Sequence, residues 1–387
     1  MQPKTVVMRS IVLSFLCILV SLGILLVSNP PGLQAIKSAN DSPDRSWVDT
    51  TLAGLSLREK IGQLIQIRVR GEFQNREDPR FRELIRAIDQ NNVGGVILFA
   101  GNVYESAMLL NELQARSRLP LLVSADFERG ASFRIADTTS FPWTMAIGAT
   151  GSEEYAYQQG RITAEESRAL GVHWIFAPVM DVNNNPKNPV INIRSYGEDP
   201  LMVARLGVAF IRGAKSGGVL TAAKHFPGHG DTTTDSHIGL AVILADMEKL
   251  NSVELVPFRS AIEAGVDSIM TAHVAVPKVT GDRTTPATLS AEILTGLMRD
   301  TLQFNGLVVT DAMEMGGITD TYWCGLAAVR AIAAGADIVL LPTDANVAIN
   351  EIERAVLRGD IPPERIDVSV RKVLEAKSRL GLELQRL

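Results

Sequence analysis

Cysteine is almost missing from these 387 residues: there are two, and Cys17 lies inside an apolar run, which leaves Cys324 alone in the folded part. That excludes an intradomain disulfide and a cysteine-based metal site, and leaves core size as the source of stability. Clusters of basic residues are missing too. With a net charge of −5 the chain has no electrostatic footprint for nucleic acid. Low-complexity runs are absent, and 46% hydrophobic against 21% charged residues describes an ordered globular protein with a large core. Histidine is scarce, five in all, yet three of the five fall between Lys224 and His237.

Long hydrophobic runs are absent except at the start. Lys4 and Arg9 precede a charge-free stretch from Ser10 to Ile36, whose centre is the apolar segment Ile11 to Val27. Residues 1–36 therefore read as a targeting segment, either a cleaved signal peptide or a membrane anchor through residues 11–27. Either form sends the protein to the periplasm, the cell surface or the medium. The polar, turn-rich residues 37–46 read as a linker, and residues 47–387 as one folded domain.

Within that domain short apolar, β-branched runs recur eight times: Leu64–Val69, Gly95–Phe99, Leu119–Asp126, Trp174–Val182, Leu220–Phe226, Asp267–Val274, Gly306–Asp311 and Ala336–Leu341. Segments of helical character separate them, among them Arg80–Gln90, Glu153–Leu170, Leu201–Ser216, Met247–Ala264 and Ala291–Gln303. Alternation implies parallel pairing. Eight such strands, with no glycine-rich phosphate fingerprint after the first, describe a (β/α)8 TIM barrel forming a single domain, with an open doubly wound sheet as the runner-up. In a barrel the strand carboxyl ends build the active site. Asp126, Asp181, Lys224 with His225, His273 and Asp311 all fall at such ends, whereas His173 falls at a strand start, on the stability face.

The run from Lys224 to His237 concentrates chemistry in a way that a core strand does not explain. A charge buried unpaired is costly, but a cation and an imidazole at a barrel mouth can hydrogen-bond ligand hydroxyls. Asp235 stands two residues from His237, close enough in an irregular loop to accept from one ring nitrogen while the other faces a substrate. That pair suits a general acid/base. Val308-Val309-Thr310-Asp311 ends in an acid that, held by donors, stays ionised and can attack an anomeric carbon; its bland reading is a helix cap.

Together these motifs resemble glycoside hydrolase family 3, and within it the single-domain β-N-acetylglucosaminidases, from about Leu55 to Leu341. Lys-His-Phe-Pro-Gly-His-Gly with Asp-Ser-His carries the resemblance, and Val-Val-Thr-Asp-Ala-Met supports it. The resemblance implies Asp311 as nucleophile, His237 as acid/base with Asp235 as its partner, and Asp126, Arg134, Arg194, Lys224 and His225 as groups that hold sugar hydroxyls. Where the family has Asp-Gln-Glu-Gly-Gly-Arg, this chain has Asp126-Phe127-Glu128-Arg129-Gly130-Ala131, a departure bearing on specificity. Family members with a second domain take a Glu acid from it; the histidine is the acid implied here.

The expected activity is removal of terminal β-linked N-acetylglucosamine from cell-wall fragments or chitin-like oligosaccharides. The expected partner is an amino-sugar oligosaccharide or muropeptide, and no metal or other cofactor is required. A β-glucosidase or glycoside phosphorylase of the same family is the enzymatic alternative, and a non-catalytic surface sugar-binding barrel the other. His229 reads as loop support ahead of an acid or a metal ligand. Asp231 reads as a turn residue. His273 and Asp181 are balanced between supporting and ligand-binding roles.

Overall fold

The computed structural model describes residues 42–384. The targeting segment expected over residues 1–36, with the apolar run 11–27 and Cys17, lies outside the described residues. Among the described residues the first helix, Arg45–Gly54, starts inside the stretch read as linker. Asp44 caps it by accepting from the Trp47 N–H at 3.1 Å, and its own N–H donates to Ser378 Oγ at 2.7 Å.

Among the described residues ten strands follow: β1 (Ile65–Gly71), β2 (Gly95–Gly101), β3 (Leu122–Ala125), β4 (Trp174–Ile175), β5 (Leu220–Phe226), β6 (Ala241–Val242), β7 (Ser268–Thr271), β8 (Val274–Ala275), β9 (Leu307–Val309) and β10 (Val339–Leu340). Eight of them pair in parallel in the order β10-β1-β2-β3-β4-β5-β7-β9. A bridge between Val309 and Ile338 joins the last to the first, with the Thr310 N–H donating to the Ile338 carbonyl at 3.0 Å. This is the expected (β/α)8 barrel, its strands apolar on both faces because helices cover the outside and side chains fill the inside.

Helices occupy the connections as the apolar periodicity predicts. Glu153–Leu170 begins at Ser152, whose hydroxyl accepts from the Tyr155 N–H, and ends at left-handed Gly171. Pro200–Ser216 begins at Asp199 with proline in its first turn. Two departures from the expected elements touch the site. The fourth strand stops at Ile175 rather than Val182: beyond it the Ala222 N–H reaches the Ala177 carbonyl at 3.0 Å, Pro178 has no N–H to give the ladder, and only a bridge pairs Val179 with Lys224. The expected helix Met247–Ala264 contains a π-helical stretch, Leu250–Glu254, which sets Glu254 against the loop after β5. β6 and β8 form a separate parallel pair that ties the segment after β5 to the segment after β7.

Asp337 closes the barrel between β9 and β10. Its N–H donates to the Val308 carbonyl at 2.7 Å, and its Oδ2 accepts from the Val308 N–H at 3.0 Å. Arg299, Arg365 and Lys372 surround this buried carboxylate.

Candidate active site

Six of the residues singled out in the sequence meet in one buried chain of charges built from the segments after β3 and β4 and from the end of β5. Lys224, 2% exposed, points its Nζ at Asp126 Oδ1 (2.8 Å) and Glu128 Oε1 (2.7 Å). Arg134 Nη2 holds the other Asp126 oxygen at 2.8 Å. Arg194 grips Glu128 with Nε at 2.9 Å and Nη2 at 2.7 Å, and Nη2 also lies 3.3 Å from His225 Nε2. Since a guanidinium only donates, His225 accepts at Nε2, and its Nδ1–H donates to Asp181 Oδ2 at 2.6 Å. Each buried charge thus has partners of the opposite sign, the condition for charges to persist out of water.

The alternation fixes the ionisation. Burial by itself would raise the Asp126 carboxyl, but Lys224 and Arg134 outweigh it and hold it below the usual carboxylate range. Glu128 is held well below that range, burial again being overcome by Arg194 and Lys224. Lys224, which burial would lower, is raised by the two carboxylates.

Glu128 is the member of this chain that sequence reasoning left unassigned. The signal was the charge count: Lys224, Arg134 and Arg194 around Asp126 alone would leave buried cations unpaired, and the nearest acid in sequence is Glu128. Arg129, where the family has glycine, leaves the carboxylates undisturbed. Its guanidinium lies over the Trp143 ring at 4.8 Å and donates to the Phe141 carbonyl at 3.3 Å. Arg134 is steadied between the rings of Phe99 (4.5 Å) and Phe133 (4.9 Å).

Asp181 is fully buried and organises the loop after β5, accepting from the backbone N–H groups of His225 (3.1 Å) and His229 (2.7 Å). Gly230 passes so close to the Val182 carbonyl that a Cβ would overlap it. His229 supports the loop from within. The Thr232 hydroxyl gives its proton to the His229 carbonyl, so Nδ1–H donates to Thr232 Oγ1 (2.7 Å) and Nε2 accepts from Ser236 Oγ (2.8 Å). Burial first, with a smaller push from His225, lowers this imidazole to about 4. Asp231 stands outside the network, paired with Lys249 at 2.5 Å. His173 sits at the opposite end of the barrel, accepting from the Val123 N–H at 3.1 Å, and burial lowers it to about 3.

Asp311 follows β9. Its N–H donates to the Thr271 carbonyl at 3.2 Å, and its Oδ1 accepts from the Ala312 N–H at 2.7 Å. Burial would raise this carboxyl, but His273, His225, the Ala312 N–H and Lys224 together lower it. His273, fully buried, donates from Nε2 to the Ala312 carbonyl at 3.0 Å and receives Thr288 Oγ1 at Nδ1 (2.8 Å), so it supports the segment that carries Asp311.

Asp235 and His237 form the expected pair. His237 Nδ1–H and the His237 backbone N–H both reach Asp235 Oδ1, at 2.7 and 2.9 Å, and the imidazole side chain is 58% exposed. The loop carrying this pair is joined to the segment after Asp311 through backbone hydrogen bonds. The Gly316 N–H donates to the His237 carbonyl at 3.1 Å and the Gly317 N–H to the Ser236 carbonyl at 3.0 Å.

A closed (β/α)8 barrel with a charge-paired pocket, an ionised carboxylate and a carboxylate-backed imidazole at the strand carboxyl ends defines the class. The chain belongs to glycosyl hydrolase family 3, whose N terminal domain matches residues 56–376. It is 34% identical over 359 residues to the β-N-acetylglucosaminidase/β-glucosidase of Cellulomonas fimi, covering 90% of this chain and 62% of that protein. The solved family 3 β-N-acetylglucosaminidase from Paenibacillus sp. str. FPU-7 matches with a TM-score of 0.80 at 41% identity, over 85% of this chain and 64% of that one. A β-glucoside phosphorylase, BglX, bound to 2FGlc, matches with a TM-score of 0.84 at 31% identity, over 91% of this chain and 64% of that one. The chain spans less than two thirds of the length of each.

Proposed function

We propose that this barrel is a retaining, exo-acting β-N-acetylglucosaminidase that releases terminal β-linked N-acetylglucosamine from cell-wall fragments or chitin-like oligosaccharides. The observation that carries the reading is the backbone joining of two segments, one bearing ionised Asp311 and the other the Asp235–His237 pair. In the first step Asp311 attacks the anomeric carbon while His237, protonated, gives its Nε2 proton to the departing oxygen. In the second step His237 takes a proton from water as that water displaces Asp311, and the configuration is retained. Asp235 stabilises the imidazolium and fixes the tautomer that leaves Nε2 toward the substrate. Asp126, Arg134, Arg194, Lys224 and His225 hold the hydroxyls of the terminal sugar.

The apolar run over residues 11–27 supports action outside the cytoplasm, on envelope or extracellular glycans such as muropeptides. The test is turnover of an aryl β-N-acetylglucosaminide against an aryl β-glucoside, with Asp311→Ala as the blank. Wild type no faster than the blank on both substrates sinks the reading. Similarity to a β-glucoside phosphorylase supports phosphorolysis as a second reading. Release of a sugar 1-phosphate rather than free sugar when phosphate is added would select it.

A further inference from the structure

We propose that Gly316 and Gly317 are positioning residues for proton transfer, fastening the turn that carries His237 to the segment that carries Asp311. The proposal rests on the reading above, in which those two side chains act as acid/base and nucleophile. The turn has little else to hold it: the side chains of His237 and Ile238 are exposed, at 58% and 76%, so no apolar packing anchors its tip. Within it Ile238 N–H and Gly239 N–H both donate to the Asp235 carbonyl, which shapes the turn but does not attach it. Attachment comes from the His229–Ser236 side-chain hydrogen bond at 2.8 Å and from the two glycine N–H groups, at 3.1 and 3.0 Å.

Neither glycine has a positive φ, so the backbone at these positions would accept alanine. What forbids a side chain is the turn itself. A Cβ on Gly316 would lie 2.5 Å from the Ile238 oxygen, 2.6 Å from the Ile238 carbonyl carbon and 3.0 Å from the His237 oxygen. A Cβ on Gly317 would lie 2.9 Å from His273 Cβ and 3.1 Å from the Ser236 oxygen. The two glycines bring the segments to hydrogen-bonding distance, five and six residues beyond Asp311. The spacing of His237 from Asp311 is therefore set by main-chain contact between their own segments, and the barrel wall does not have to transmit it. A misplacement of about 1 Å at reacting groups costs on the order of 100-fold in rate.

Gly316→Ala tests this. Gly239→Ala serves as the control, since its Cβ would meet only Asp320 Oδ2 at 3.7 Å in the same turn. Both are assayed on aryl glycosides of graded leaving-group acidity beside His237→Ala. Gly316→Ala should lose roughly 10- to 100-fold in kcat/KM on the least activated substrates and about 3-fold or less on the most activated, because only poor leaving groups depend on protonation. Gly239→Ala should match wild type. Azide should speed Gly316→Ala on the activated substrates: it attacks the anomeric carbon, the bond to Asp311 breaks, the carboxylate leaves and no proton has to be removed.

Equal losses across the series for Gly316→Ala, with the graded loss kept in His237→Ala, would overturn the fastening alone. A flat series for His237→Ala would overturn the acid/base reading and the proposal with it. Should Gly316→Ala fail to fold, Gly317→Ala takes its place. Loss of folding in both would overturn the proposal, since the contact would then serve the barrel rather than the turn.

Discussion

Lys224 has two carboxylates within 2.8 Å and almost no access to water, so neutralising either one leaves a buried cation half compensated. Glu128→Gln also strips Arg194 of its bidentate partner. Removing one partner from a buried pair costs about 3–5 kcal/mol, so the variant should unfold at markedly lower denaturant and lose sugar binding as Arg194 and Lys224 reorient. An unchanged midpoint would show that the network carries little of the stability. Asp311 makes a separate prediction. Its carboxyl is lowered, so it stays ionised as the pH falls from 7 to about 4. With an activated leaving group that needs no protonation, the glycosylation rate should stay level between pH 7 and 5, and Asp311→Asn should abolish it. A fall of about tenfold across that interval would mean that Asp311 titrates there. The strand-end residues were legible one by one because polar groups at the end of apolar runs stand out. Glu128 was not, since its meaning comes from cations contributed by two other strands.

At the scale of elements, closure depends on Asp337, which lies 1% exposed between β9 and β10 and offers its oxygens to Arg299, Arg365, Lys372 and Ser369. Burial would raise its carboxyl, and Lys372, Arg299 and Arg365 lower it. Asp337→Ala should therefore cost about 3–5 kcal/mol, by leaving those cations facing a gap. It precedes β10, at the end of the barrel away from the pocket, so kcat/KM per folded molecule should hold; a fall in kcat/KM at unchanged stability would refute the assignment. Strand and helix runs were readable from periodicity wherever one residue pattern filled a whole element. The pattern failed where local chemistry interrupts it: Pro178 cuts the fourth strand, the sixth run divides into β7 and β8, and the π-helical turn at Leu250–Glu254 has no signature in apolar spacing.

For the molecule as a whole, the alternation of eight apolar runs with helices was enough to predict a barrel, because few architectures bury parallel strands on both faces. Composition does not reveal how the barrel responds to acid; burial does. His173 and His229 are lowered to about 3 and about 4, each chiefly by burial, and His273 is lowered for the same reason. An imidazole whose pKa is lower folded than unfolded contributes stability that is whole above about 6.5 and is lost as the pH falls toward the folded value. Between pH 6.5 and 4 the unfolded chain therefore binds protons that the native state refuses. His173 and His229 alone amount to about two protons at pH 5, a slope of about 2.7 kcal/mol per pH unit. Glu254, raised by burial, works in the opposite direction and takes part of one proton off that count. Asp126, Glu128, Asp181 and Asp311, all held low by their partners, add a further loss only near and below pH 4. Reversible denaturant unfolding at pH 7, 5.5 and 4.5 should show stability falling steeply before the carboxylates that are held low begin to titrate. Replacing His173, which lies at the opposite end of the barrel from Lys224, by glutamine should lower the slope by about one proton, about 1.4 kcal/mol per pH unit, while leaving activity in place. A flat profile between pH 6.5 and 4.5 would mean that these imidazoles are hydrated, contrary to their burial.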